Sequence, residues 1–167
     1  INKIRNPSGR MEECYKLNNL SRVFVDFAHT PDALGKILDL VNNKYNKKAN
    51  ILFGCGGDRD KSKRILMGQV ANMKANKVYI TDDNPRNEKP SKIRLEIYKG
   101  CIRAKLISNR KIAIKTALQD LKRKEILIIA GKGHEKYQII KDKKFLFDDL
   151  EIANNYIKKI NEKNIRN

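Results

Sequence analysis

Val23-Phe24-Val25-Asp26-Phe27-Ala28-His29-Thr30-Pro31-Asp32-Ala33-Leu34 is the stretch on which the fold turns. A short run rich in β-branched and aromatic residues reads as a buried strand, a polar loop follows it, and Thr30 and Pro31 suit the cap and first turn of a helix. Leu34, Ile37, Leu38 and Val41 then recur at the i, i+3, i+4, i+7 spacing of one buried helical face.

The same strand, loop and helix recur downstream. Residues 51–53, 78–80 and 126–130 are further apolar runs bounded by turn formers, and each opens into a polar loop. Ile114, Ala117, Leu118 and Leu121 repeat the helical spacing, residues 61–73 give a less regular amphipathic segment, and residues 92–99 a third. Residues 105–108 read as another strand, and 138–140 with 145–147 flank a polar turn as an antiparallel hairpin would. Leu150, Ala153, Ile157 and Ile160 form the stripe of a terminal helix. The expected fold class is α/β, a Rossmann-like three-layer sandwich with a mostly parallel sheet and an antiparallel edge near the carboxyl terminus. Residues before Arg22 show no steady period, and Asn6-Pro7-Ser8-Gly9 reads as a linker.

Composition narrows the function. A chain of 167 residues supports one domain, and no apolar run approaches the ~20 residues that span a bilayer. Residues 1–10 lack the apolar core of a secretory signal. Cys14, Cys55 and Cys101 are odd in number and widely spaced, which suggests neither a disulfide framework nor a zinc knuckle and suits a reducing cytoplasm. The formal charge of +18 raises nucleic-acid binding, which requires clustered cations. The lysines are instead scattered through nearly every expected helix and turn, so a basic nucleic-acid-binding module stands as the alternative reading.

In an open parallel sheet, ligands bind beyond the carboxyl ends of the strands. Four loops qualify: Asp26 to Asp32, Gly54 to Asp60, Thr81 to Arg86, and Gly131 to Glu135, which together hold both histidines and five of the nine glycines. Gly54-Cys55-Gly56-Gly57-Asp58-Arg59 has arginine where a dinucleotide fingerprint requires its last glycine, and no P-loop occurs anywhere in the chain. Arg59 and Arg86 offer planar forks of donors to an acidic ligand, or else structural salt bridges to Asp58, Asp60 or Asp83. Glu135 suits an ammonium group or a cap, and Asn84 a ligand contact or a turn ahead of Pro85. His29 and His134 lack the spacing of zinc ligands, so no metal site is expected, and no nucleophile stands out.

Gly9-Arg10-Met11-Glu12, the loop motif from Asp26 to Leu34, Phe53-Gly54-Cys55-Gly56-Gly57-Asp58-Arg59-Asp60, Asp82-Asp83-Asn84-Pro85-Arg86 and Ala130-Gly131-Lys132-Gly133-His134-Glu135 resemble, in this order, the carboxyl-terminal domain of the Mur ligases of peptidoglycan synthesis. The resemblance runs to about residue 157. It implies that residues 1–20 are linker and tail of a preceding ATPase domain, that residues 21–167 are the amino-acid-binding domain, and that this chain alone has no ligase activity. It further implies ATP and Mg2+ as cofactors, held mainly by that preceding domain, and UDP-N-acetylmuramoyl-dipeptide as the second substrate, met through domains outside this sequence. Asp83-Asn84-Pro85-Arg86 matches the members that add meso-diaminopimelate, rather than relatives that take lysine, lengthen folate polyglutamate or add D-alanyl-D-alanine. By the same resemblance Arg59, Asn84, Arg86, Gly131 and Glu135 bind meso-diaminopimelate, while Arg10, Asp26 and His29 meet ATP. Phe27, where tyrosine is commoner, and Ile65, where proline is frequent, are departures that touch none of these contacts.

Overall fold

Strands of this chain alternate two apolar faces, and each face is buried against its own layer of helices. The computed structural model describes residues 9–165; Asn6, Pro7 and Ser8 of the expected linker lie outside them. In chain order the elements are β1 (Glu12–Glu13), β2 (Arg22–Asp26), α1 (Pro31–Tyr45), β3 (Asn50–Phe53), α2 (Ser62–Lys74), β4 (Val78–Ile80), α3 (Pro90–Tyr98), β5 (Lys105–Leu106), α4 (Arg110–Gln119), β6 (Ile126–Ala130), β7 (Tyr137–Ile140), β8 (Lys143–Leu146) and α5 (Asp149–Ile165). Six strands form one sheet in the order β1-β2-β6-β3-β4-β5. All its pairings are parallel except β1 with β2.

On one face, Phe24, Ile51, Phe53, Ile80 and Ile128 pack against Leu34, Leu38 and Val41 of α1, Met67 and Ala71 of α2, and Ile93 and Ile97 of α3. On the other, Val23, Val25, Leu52, Leu127 and Ile129 pack against Ala113, Ile114 and Ala117 of α4 and Ala153 and Ile157 of α5. This is the expected three-layer arrangement, and period-two burial in the strands meets period-3.6 burial in the helices. Thr30 caps α1, its hydroxyl accepting from the Ala33 N–H at 3.2 Å, and Pro31 occupies the first turn.

Two regions refine the expectation. The segment before Arg22, which shows no period, contributes the edge strand β1 and buries Cys14 and Leu17 in the second core. The antiparallel hairpin near the carboxyl end is a two-stranded ribbon, β7-β8, joined to the body through a parallel bridge between Ile140 and Arg86. Its second strand is exposed throughout, so Lys143 and Lys144 carry no apolar alternation by which to read it.

Because β6 enters between β2 and β3, the loops that follow β2, β6, β3 and β4 stand side by side along one edge. That topology assembles the site.

Candidate functional site

The four loops surround two adjoining hollows. The first, of about 430 Å³, is lined by Arg59, Asn84, Arg86, Gly131 and Glu135 together with Phe27, His29, Thr30, Gly56, Asp60, Lys63 and Asp83. The second, of about 380 Å³, is lined by Arg10, Asp26 and His29 together with Phe27, Ala28, Ala33, Lys36, Ile37 and Leu40. The five residues expected at the amino acid thus share one hollow and the three expected at the nucleotide share the other. Phe27 and His29 form the divide, their rings edge-on at 4.6 Å, and Phe27 stacks on His134 at 5.4 Å, so the departure at Phe27, expected to touch none of these contacts, in fact lines both hollows and packs on His29.

In the first hollow the two arginines are uncommitted to carboxylates. Arg59 donates to the Asp58 carbonyl at 3.1 Å, and Arg86 donates to the carbonyls of Gly57 at 2.9 Å and Asn84 at 3.4 Å. The salt bridges to Asp58, Asp60 or Asp83 left open by the sequence do not form among the described residues, since Asp58 instead accepts from Asn87 and Asp60 from Ser62. Two guanidiniums without anionic partners at one cavity suit a ligand bearing carboxylate.

Opposite them is a tightly paired cluster. Asn84, nearly buried, donates through Nδ2 to Glu135 Oε2 at 3.0 Å, and its Oδ1 accepts from the Ile139 N–H and from Lys132 Nζ, each at 3.0 Å. Lys132 went unassigned in the sequence because it is one lysine among many. Its neighbour Gly131 has a φ of 112°, and a Cβ there would stand 2.9 Å from Asp83 Oδ2. Only glycine lets the backbone come this close at that φ.

The arginine-bearing loops are propped from behind. Arg64 is fully buried on α2, donating to Glu88 at 2.8 and 3.0 Å, to Glu96 at 2.6 Å and to the Gly56 carbonyl at 3.2 Å. Its guanidinium holds the Glu88 carboxyl down to about 2, and Glu88 also accepts from the Asp58 N–H at 2.7 Å. Arg110, at the start of α4, is buried with Asp149, at the start of α5, in a bidentate pair of 2.8 and 2.7 Å, and also donates to the Ala130 carbonyl just ahead of Gly131. Asp82 pairs with Arg94, yet burial, the stronger influence, raises its carboxyl above the ordinary range. Cys55 is buried between these loops, and burial pushes its thiol up to about 12, which leaves it protonated and a poor nucleophile at neutral pH.

In the second hollow, Asp26 accepts from the Met11 and Ala28 N–H groups at 2.9 and 2.8 Å, and His29 Nδ1 lies 2.8 Å from the Phe27 carbonyl. Asp26 therefore fastens the incoming segment that carries Arg10 to the end of β2. Among the described residues no three His, Cys, Asp or Glu stand together as metal ligands, and no helix is long and apolar enough to cross a membrane.

A mostly parallel sheet with glycine-rich loops at its carboxyl edge, opening on one hollow lined by charged side chains and one with aromatic and aliphatic walls, defines an open α/β domain. The family model described as "Mur ligase, glutamate ligase domain" matches residues 9–133, and the chain belongs to that family. It is 51% identical over 160 residues to the UDP-N-acetylmuramoyl-L-alanyl-D-glutamate--2,6-diaminopimelate ligase of Rickettsia montanensis, covering 93% of this chain and 33% of that protein. It is 43% identical over 162 residues to the ligase of the same name from Buchnera aphidicola, covering 95% and 32%. The chain thus spans about a third of the length of the curated relatives it matches. A solved structure of a ligase with that name superposes with a TM-score of 0.84 at 38% identity, covering 93% of this chain and 32% of that one. A folylpolyglutamate synthase/dihydrofolate synthase from Yersinia pestis, with a TM-score of 0.61 at 16% identity over 75% of this chain and 28% of its own, shares the fold alone.

Proposed function

We propose that this chain is the amino-acid-binding domain of an ATP-dependent ligase that joins meso-diaminopimelate to UDP-N-acetylmuramoyl-L-alanyl-D-glutamate in the cytoplasm. The observation that carries the proposal is the pair of guanidiniums, Arg59 and Arg86, that face one cavity while donating only to backbone carbonyls. Diaminopimelate differs from lysine by one carboxylate, and a site built to pair with that group strongly disfavours a ligand lacking it.

Arg59, Asn84 and Arg86 take the carboxylates of the amino acid, and the Gly131 carbonyl with Glu135 takes its distal ammonium. The nucleotide hollow suits a base and ribose, with Ala33, Ile37, Leu40 and the His29 ring as walls, Asp26 at the ribose and Arg10 reaching toward phosphate. ATP and Mg2+ would be held mainly by a preceding ATPase domain to which residues 1–20 lead, where the terminal phosphoryl group of ATP would pass to the D-glutamyl carboxylate, with ADP leaving, to give an acyl phosphate. This chain then orients the free amine of diaminopimelate, whose nitrogen bonds to the acyl carbon and loses a proton as the carbon–oxygen bond breaks and phosphate departs. Held at both ends, the amino acid presents one amine in one place, and such orientation is a large part of what speeds a bimolecular step. By itself the chain selects a substrate without joining it.

Nuclear magnetic resonance titration of the full chain with meso-diaminopimelate tests this reading. Amide shifts should concentrate at Gly57, Asn84, Arg86, Gly131 and Glu135, with L-lysine giving weaker shifts at the same positions. Shifts confined to other surfaces, or an equal response to L-lysine, contradict it.

A further inference from the structure

Lys132 lies behind the amino-acid cavity without lining it, and its side chain is completely buried. A buried ammonium is costly unless its donors are satisfied. Here Nζ donates to Asn84 Oδ1 at 3.0 Å and Glu135 Oε2 at 3.4 Å, and Asp83 Oδ1 stands 3.7 Å away as a third, ion-paired oxygen. All three belong to residues that do line the cavity.

The pairing leaves particular atoms over. Glu135 is held through Oε2, by Lys132 and by the Asn84 amide, and Oε1 has no partner among the described residues. Asn84 spends Oδ1 on Lys132 and Ile139 and one amide hydrogen on Glu135, so its second amide hydrogen remains. Exchange of the Asn84 oxygen and nitrogen would set an amide N–H against the ammonium and against the Ile139 N–H, and the oxygen against Glu135, so Lys132 is one of three partners that together fix which way the amide points. In charge, the two carboxylates of Asp83 and Glu135 are offset by one internal ammonium. This end of the cavity therefore carries one net negative charge, which matches a single ligand ammonium.

We infer that Lys132 is a positioning residue that sets specificity: it acts through Asn84 and Glu135, holding the amide, together with the Ile139 N–H, so that it donates to a ligand carboxylate, and holding Glu135 by one oxygen so that the other is left for a ligand ammonium. The inference rests on the reading of the cavity as a diaminopimelate site. Lys132→Met keeps much of the side chain's length and removes its charge.

The experiment uses the full isotope-labelled chain, titrated with meso-diaminopimelate, as wild type, Lys132→Met, Glu135→Gln and the double variant. Lys132→Met should shift the Asn84 side-chain amide and the Ile139 backbone amide before any ligand is added. Its affinity for meso-diaminopimelate should fall about 10- to 100-fold, the range seen when a partner that orients a metal-binding side chain is removed. In the Glu135→Gln background that fall should be smaller, because only the route through Asn84 remains, whereas a merely structural lysine gives additive losses. Unmoved Asn84 and Ile139 signals, or additive losses, overturn the inference. Wild-type chain that binds no meso-diaminopimelate while Lys132→Met still moves those amides removes the reading of the cavity, and the specificity role with it. Should Lys132→Met fail to fold, the wild-type Lys132 ammonium signal decides. Slow exchange with water that persists while the signal shifts on ligand binding supports the role, and fast exchange or an unchanged signal overturns it.

Discussion

Arg86 donates through Nη1 to the carbonyl of Gly57 at 2.9 Å, and Gly57 in turn donates its N–H to the Asn84 carbonyl at 2.8 Å. The loops after β3 and β4 are thereby fastened to each other at the residue proposed to read the substrate. The contact leaves no room for a side chain, since a Cβ on Gly57 would lie 1.9 Å from the Pro85 carbonyl oxygen. Gly57→Ala should destabilise the chain by about 1 to 3 kcal/mol, because a backbone atom must yield. Urea unfolding checks it, and an unchanged midpoint would show that the loops separate freely.

The pair of Arg110 and Asp149 joins the first turns of α4 and α5 in a site fully closed to solvent. Asp149→Ala leaves a buried guanidinium without its counterion and should cost about 3 to 5 kcal/mol, while Arg110→Met with Asp149→Leu should be far less costly than the single change. Denaturant titration of the three proteins separates the cases. A double variant as unstable as Asp149→Ala would mean that packing, not the stranded charge, sets the loss.

Glu88 gives the fold an acid limb. Its carboxyl is held at about 2 by Arg64, below the ordinary value near 4.5, so its folded form is the more acidic. The stability it contributes is present above about pH 4.5 and is lost as pH falls toward about 2. Glu88→Gln should lower stability at neutral pH and flatten the decline between those values. A decline of unchanged steepness in Glu88→Gln would place the acid sensitivity elsewhere.

The order of strands and helices and the four loops are legible in the sequence because burial there follows a period: Val23 and Val25 against Phe24, or Leu34, Leu38 and Val41 along α1. Charged residues that are buried break that reading. Arg64 and Arg110 are among the least exposed side chains, yet each looks like any other cation in a chain with 37 lysines and arginines. Arg64 occupies a core-facing turn of α2, which is why that segment reads as irregular. β1 is too short to show alternation, and its pairing with β2 depends on partners distant in sequence. For the site, the residue types at Arg59, Asn84, Arg86 and Glu135 are readable, but salt bridge and free guanidinium cannot be told apart without the distances. Lys132 was invisible as a site residue for the same reason, because its role lies in what surrounds it.

The central claim is that Arg86 reads the carboxylate by which diaminopimelate exceeds lysine. A chimera in which this chain replaces the matching third of the Rickettsia montanensis relative permits the direct measurement, steady-state kinetics of Arg86→Ala with each substrate varied in turn. KM for meso-diaminopimelate should rise by about 30-fold or more, corresponding to ~2 kcal/mol or more of lost charged contact, while KM for ATP stays nearly constant. Equal rises in both, or a variant that still prefers meso-diaminopimelate over L-lysine by the wild-type ratio, would contradict it.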